Sequence, residues 1–431
     1  MDFVGILVLV STFLILLTLG VPIAYSIGIS GVITLLVSVM PMPTFTTLAQ
    51  RMATSLDSFA LLAIPFFILA GQLMNSGGIA IRLIDFAKVL VGRLPGGLAF
   101  VNIMANMLFG AISGSAAASA SAIGSFMTPK MVQEGYSKSY SAAINITSAT
   151  TGLVIPPSNI LIVYSLASGG VSIAALFLAG YIPGILTGIM LMAAAGALAY
   201  RRNYPVGERV SLGQGMMKFI HAIPSLLLLV IVIGGIIAGL FTATEASAVA
   251  VLYTLILALI YGEISMKDVP KILLRTVAVT SIVLLLVGTS MGLSWVMSYE
   301  NIPQEVSKGL LGLSDNKIVL LLIINLILLF VGIFMDMTPA VLIFTPIFLP
   351  IVAELGIDPI HFGIIMVMNL CIGLCTPPVG AVLFIGCSVA GIGIDKVIKP
   401  LLPLFVAMIA ALMLVTYIPQ ITLWLPRVFG L

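Results

Sequence analysis

Apolar runs of about twenty residues, separated by short polar stretches, recur along almost the whole chain. A helix that crosses about 30 Å of hydrocarbon needs about 20 such residues. Runs of this kind cover 3–20, 22–40, 60–78, 139–166, 172–199, 219–241, 246–262, 276–297, 361–387 and 400–424, which predicts ten spans. Two further blocks, 97–128 and 317–353, are 32 and 37 residues long, too long for one span and short for two. Each is interrupted in its middle by small or polar residues: AISGSAAASASA at 111–122 and GIFMDMTPA at 332–340.

The placement of Lys and Arg suggests how these blocks run. Arg82, Lys88 and Arg93 precede the first block, and Lys130 and Lys138 follow it. Short loops rich in Lys and Arg stay cytoplasmic, so both ends of 97–128 fall on one side, as in a re-entrant hairpin. Two short complete spans would give the same sidedness. The segment RRNYPVGER (201–209) with Lys218, the cluster Lys267, Lys271 and Arg275, and the pair Lys396 and Lys399 also come out cytoplasmic. Loops holding Glu300 and Glu305, and Glu354 with Asp358, come out on the far side. The expectation is ten spans, two hairpins and both termini outside. The N-terminus carries Asp2 and no basic segment, so it reads as a retained first helix and not as a cleaved signal.

Composition narrows the class. The chain is 61% hydrophobic and 8% charged with a net charge of +3, whereas soluble domains carry about 25% charged residues. That excludes a soluble enzyme, a disordered protein and a nucleic-acid binder. The sequence has no GxxxxGK[ST] and no HExxH, so neither P-loop hydrolysis nor a zinc protease is expected. Cys371, Cys375 and Cys387 lie in apolar sequence with neither His221 nor His361 adjoining the first two. They suggest no transition-metal site and no disulfide framework. No cofactor and no catalytic residues are read.

The sequence also resembles itself at an offset of 221 residues. Gly71/Gly292, Gly135/Gly356, Gly152/Gly373 and Gly170/Gly391 match, as do Pro129/Pro350, Pro156/Pro377, Pro157/Pro378 and Pro205/Pro426. The order of spans and broken blocks repeats as well. The expected fold is an all-α polytopic membrane protein of two repeats, 1–210 and 211–431. Each holds about five transmembrane helices and one hairpin, with a broken helix at 139–166 in the first and 361–387 in the second. Five crossings per copy is an odd number, so the second copy must be inverted. Inverted repeats with broken helices near the midplane are the architecture of secondary transporters.

Non-helical backbone survives in hydrocarbon only where it lines a protein cavity or water. Four such breaks are expected: the tip Ser113-Gly114-Ser115, GLVIPPSN at 152–159, the tip from Gly332 to Pro339, and GLCTPPVG at 373–380. Consecutive prolines delete helix hydrogen bonds and free nearby carbonyls. Freed carbonyls with hydroxyl oxygens suit a hard monovalent cation such as Na⁺, whereas half-helix N-termini favour an anionic group. The plainer alternative is that Pro-Pro only kinks a helix and that small residues only let helices approach. Asp336, the one carboxylate inside a broken block, either handles an ion or substrate or caps a half-helix through Thr338 and free amides. Glu245 in FTATEASA reads as a helix N-cap. Asn102, Asn106, Asn145, Asn325 and Asn369 are expected to bond across helices, and Asn159 to face a site. Arg51, near Asp57, reads as an interfacial charge, and His221 at a helix start and His361 at an outer loop as structural.

The combination LDSFALLAIPFFILAGQLMNSGG (56–78), GAISGSAAASASAIGS (110–125), GLVIPPSN, FTATEASAV (241–249) and GLCTPPVG resembles the large permease subunit of tripartite ATP-independent periplasmic (TRAP) transporters over essentially the whole chain. The resemblance implies an elevator-type transporter of the ion transporter superfamily, in which a transport domain moves past a scaffold, driven by the Na⁺ gradient across a bacterial inner membrane. Both termini would then be periplasmic. It implies two partners, a separate small four-helix membrane subunit and a soluble periplasmic substrate-binding protein. The solutes it implies are carboxylates such as C4-dicarboxylates, keto acids or sialic acid. Carried over by residue, one Na⁺ site would lie between Ser113, Gly114, Ser115 and Gly152, Ile155, Pro157. The other would lie between Gly332 and Gly373, Thr376, Val379. Substrate would sit between the tips, near Ser115, Ser158, Asn159, Asp336 and Thr338. A passive channel, or a membrane enzyme using Asp336, are the competing readings.

Overall fold

The computed structural model describes residues 2–94, 96–205, 212–314 and 316–431, and these form helices and connecting turns without a strand. The segment 206–211, which holds part of the predicted basic loop and the expected repeat boundary, lies outside the described residues. Helices α1 (Asp2–Thr18) and α2 (Ile23–Ser38) occupy the first two predicted spans but have only 17 and 16 residues. At about 1.5 Å per residue each reaches about 25 Å, short of a full hydrocarbon thickness. Helix α3 (Pro41–Leu56) was not expected from hydropathy, because Thr, Gln and Arg are interleaved with its apolar residues. Pro41 sits in its first turn, where a missing N–H costs nothing.

A 3₁₀ turn (Phe59–Leu62) leads into α4 (Ala63–Ser76), followed by α5 (Ile79–Val91). The first broken block is a helical hairpin, α6 (Gly97–Ser113) and α7 (Ala116–Gln133). Next comes α8 (Lys138–Ala149), a 3₁₀ turn (Thr151–Leu153), the cis Pro156–Pro157 bond and α9 (Asn159–Ala167). Helix α10 (Ile173–Arg201) closes the first half. The second half runs α11 (Leu212–Ile237), α12 (Ala243–Ile260), α13 (Val269–Tyr299) and α14 (Ile302–Leu311). A second hairpin follows, α15 (Lys317–Phe334) and α16 (Met337–Glu354). Helices α17 (Pro359–Gly373) and α18 (Ala381–Ala390) flank the cis Pro377–Pro378 bond, before α19 (Ile394–Tyr417) and α20 (Gln420–Val428).

Among the described residues, eight helices are long and apolar enough to cross a membrane, so the chain is a multi-pass membrane protein. Six of them fall on predicted spans; the other two are α15 and α16, each 18 residues long. The predicted span 400–424 is in fact two helices, because the chain turns at Ile418 and Pro419. His361 is not in an outer loop. It is buried in the first turn of α17, where Nδ1 lies 2.8 Å from Thr422 Oγ1. Glu245 does cap α12: its Oε2 accepts from the Thr242 N–H at 2.8 Å, completing a capping box.

Helix boundaries also recur along the chain. The elements starting at 97, 116, 138, 159 and 173 have counterparts starting at 317, 337, 359, 381 and 394. Packing is reciprocal: α2 lies on α13 and α4 on α12, while α7 lies on α18 and α9 on α16. One group of helices (α1–α4 with α11–α13) carries exposed apolar side chains such as Leu7, Leu14, Leu252 and Val277. The hairpins and broken helices form a second group, in which α8 from Tyr140 and α17 from His361 are buried to their ends.

Each hairpin meets its broken helix through glycine. A Cβ on Gly152 would lie 2.5 Å from Gly110 Cα, and one on Gly373 would lie 2.5 Å from Gly332 Cα. Both obstacles are backbone, so neither can swing aside. Gly152→Ala and Gly373→Ala should each lower stability by about 1–3 kcal/mol, read as an earlier midpoint in thermal unfolding of the detergent-solubilised protein. Gly234→Ala in α11, where a Cβ meets nothing within 4 Å, serves as the control. Midpoints equal to the control's would show that these contacts are not close-packed.

Candidate functional site

Local chemistry fixes the first hairpin tip. Gly114 ends α6 with φ +61°, a left-handed conformation that costs glycine little. Ser115 then takes extended backbone, and its hydroxyl accepts from the Ala118 N–H at 3.2 Å, capping α7. A Cβ on Gly114 would come within 2.7 Å of Asn159 Nδ2, so the tip rests directly on the first residue of α9. The second tip is built without glycine. Met335 and Asp336 are both extended, and Asp336 occupies the N-cap position of α16. Ser115 and Asp336, which cap equivalent half-helices, are 221 residues apart.

The breaks are repaired in different ways. In the first, Ser158 is fully buried and its hydroxyl donates to the Leu153 carbonyl, which the prolines leave without a helical donor. In the second, the Gly380 N–H reaches across to the Ile333 carbonyl at 3.1 Å, tying the break to the hairpin. The Thr376 N–H donates to the Gly373 carbonyl at 2.9 Å and its hydroxyl to the Ile372 carbonyl at 2.7 Å.

A cavity of about 280 Å³ lies between the two tips. Ser113, Gly114, Ser115 and Asn159 from the first half, and Asp336 and Thr338 from the second, all line it. Buried oxygens Ser113 Oγ and Asn159 Oδ1 have no hydrogen-bond partner. Asp336 is exposed, and the positive end of the α16 dipole stands behind its carboxylate. No Lys or Arg is present in the described lining.

The remaining sequence candidates lie off this wall. Ser158, expected in the substrate site, is turned inward onto Leu153. Gly152, Ile155 and Pro157 are buried in the first break, where Ile155 packs beneath Gly184. Gly332 and Gly373 are in mutual contact, Thr376 is half-buried and Val379 is exposed. Two polar residues of α4, Gln72 and Asn75, line the cavity and were not singled out from sequence. Their signal was present: they stand three apart in an otherwise apolar helix, which puts both on one face. Val279 and Val283 of α13 form part of the wall. The asparagines expected to bond across helices do so. Asn106 Nδ2 donates to Asn145 Oδ1 at 3.2 Å, and Asn325 Nδ2 to Thr416 Oγ1 at 3.2 Å.

A small cavity closed by two hairpin tips and two broken helices can hold a polar solute together with ions, away from bulk water. Comparison with known proteins bears on what this arrangement belongs to. The crystal structure of the Alcanivorax borkumensis YdaH transporter superimposes with a TM-score of 0.64, covering 89% of this chain and 88% of that one. At 14% identity that likeness concerns the fold alone. The chain is 59% identical to the uncharacterized protein YgiK of Salmonella typhimurium, over 99% of this chain and 98% of that one. It is 41% identical to the C4-dicarboxylate TRAP transporter large permease protein DctM of Pseudomonas aeruginosa, over 94% of this chain and 95% of that protein. The family model "Tripartite ATP-independent periplasmic transporter, DctM component" matches residues 10–421. The chain belongs to this family: it is a TRAP transporter large permease subunit, not an enzyme.

Proposed function

We propose that the chain imports a small carboxylate solute with Na⁺, binding both between the hairpin tips. The supporting observation is the electrostatics of the cavity, whose described lining offers neutral oxygens and one carboxylate but no cationic side chain. An anionic solute placed beside Asp336 would meet repulsion in a low-dielectric site unless cations came with it. Bound Na⁺ supplies that charge. The first Na⁺ site is assigned to Ser113, Gly114 and Ser115 against Gly152, Ile155 and Pro157, with the unpartnered Ser113 Oγ aimed at the ion. The second is assigned to Gly332, Gly373, Thr376 and Val379. There the Thr376 hydroxyl donates its hydrogen to Ile372 and keeps its lone pairs for a cation.

The solute class follows the Pseudomonas relative, whose name gives C4-dicarboxylates. In this reading residues 1–210 and 211–431 are inverted repeats. The hairpin group moves as the transport domain, and the group built on α1–α4 and α11–α13 is the scaffold. The subunit sits in the inner membrane with both termini periplasmic. It works with a small membrane subunit and a periplasmic binding protein, as its family membership suggests.

Reconstitution in proteoliposomes tests the whole reading. Uptake should need an inward Na⁺ gradient, the binding protein and the small subunit together, and should return the solute chemically unchanged. Uptake of free solute by this chain alone, indifferent to Na⁺, would instead identify a passive pore. Thr376→Ala should raise the Na⁺ concentration for half-maximal uptake about fivefold, the worth of one lost oxygen ligand, with normal membrane insertion. An unchanged Na⁺ dependence removes Thr376 from the site. Asp336→Asn should cut uptake at least about tenfold; intact transport would leave the carboxylate a helix-capping role only.

A further inference from the structure

A second cavity, of about 620 Å³, opens at the opposite end of α15 from the hairpin tip. It lies where the first turn of α15, the start of α17 and the α19–α20 junction meet, and Lys317, Asp358, His361, Tyr417, Gln420 and Arg427 line it. Lys317 and Arg427 are exposed, and neither forms an ion pair among the described residues. The other titratable groups are engaged. Asp358 Oδ1 accepts from the Ile360 N–H at 2.8 Å, capping α17. His361 is held between Thr422 Oγ1 at 2.8 Å and the Thr416 carbonyl at 3.3 Å. The cavity thus has two available cations against one carboxylate already committed to a helix end. Helices α15, α17 and α20 all begin at it, and their N-terminal dipoles add positive potential.

The equivalent place in the first half is filled. Tyr140 and His361 are 221 residues apart, as are Ala195 and Thr416. Tyr140 donates its hydroxyl to the Ala195 carbonyl at 2.8 Å, matching the contact of His361 with Thr416. There the rings of Tyr136 and Tyr204 stack at 4.6 Å, and Tyr204 also lies 5.1 Å from Tyr140. The second half has Ile357 where Tyr136 stands and Leu425 where Tyr204 stands. The space those rings would take is left open and is lined with charge. Beside it in the chain, Ile318, Leu322, Ile418 and Trp424 are exposed apolar side chains, with Trp424 of the type enriched at a membrane interface.

We propose that this cavity binds the phosphate of an anionic phospholipid headgroup between Lys317 and Arg427, with the acyl chains lying along the exposed apolar side chains. A lipid suits the site better than a free ion because the cationic pair and the apolar surface adjoin. The test is native mass spectrometry of the full-length chain in detergent, titrated with phosphatidylglycerol or with phosphatidylcholine of the same acyl chains. The double variant Lys317→Gln, Arg427→Gln should weaken phosphatidylglycerol binding at least about tenfold and leave phosphatidylcholine unaffected. The charge-matched double variant Lys271→Gln, Arg275→Gln should change neither. Equal loss in both double variants, or no loss in the first, would overturn the proposal. Protection against thermal unfolding by inorganic phosphate, lost in the first variant while phosphatidylglycerol binding is unchanged, would identify a soluble-anion site and overturn the lipid assignment. If the first variant does not fold, Gln420→Trp, which fills the cavity, gives the same readout: undiminished phosphatidylglycerol binding overturns the proposal.

Discussion

Every peptide group in hydrocarbon must find its partner inside the protein. The rest of this structure depends on where that condition is hardest to meet. Two cis Pro-Pro bonds interrupt helices in the middle of the hairpin group. A break of this kind facing lipid would cost several kcal/mol for each stranded group. The chain avoids that cost by surrounding the breaks with protein. Residues 151–158 are buried throughout, the Ser158 hydroxyl donates to one stranded carbonyl, and a glycine N–H crosses from the second break to its hairpin. The hairpins are therefore required by the breaks, and the cavity is what remains between two sets of repaired ends.

The two halves meet this requirement with different chemistry. The first tip is small and neutral, closed by glycine and a serine cap. The second has a carboxylate in the capping position and no glycine in the turn. The breaks differ as well, because Pro378 and Val379 are exposed whereas Pro157 and Ser158 are buried. A site assembled from matching places on the two halves is thus polar on one wall and anionic on the other. That asymmetry gives a bound ion and a bound solute distinct surroundings within one small volume.

Much of this was legible in the chain. The apolar runs located most of the spans, and the interrupted blocks located both hairpins within a few residues, because the hydrocarbon imposes a length on any uninterrupted helix. The Pro-Pro pairs located the breaks, since proline cannot donate to a helix. What hydropathy missed was amphipathic: α3 mixes Thr, Gln and Arg with its apolar residues, and α20 is parted from α19 by a turn at Ile418 and Pro419. At the site, composition pointed to Ser113, Ser115, Asn159, Asp336 and Thr338, which do gather on one cavity. It could not separate Ser158 from Asn159, because one residue of rotation at a helix start sends one side chain inward and the next toward the cavity. Gln72 and Asn75 were passed over because they lie in a continuous helix and not at a break.

The glycine contacts bear on how the molecule can move. Between Gly110 and Gly152, and again between Gly332 and Gly373, two backbones meet with no side chain between them. A junction of that kind has no flexible lining to deform, so a hairpin cannot hinge away from its broken partner at that level. Bending is confined to the tips beyond it, at Gly114 in one half and at the extended pair Met335 and Asp336 in the other. Each hairpin with its broken helix behaves as a lever pinned near its fulcrum. Any displacement larger than the reach of a tip has to carry both levers, and whatever is held between them, as a single load.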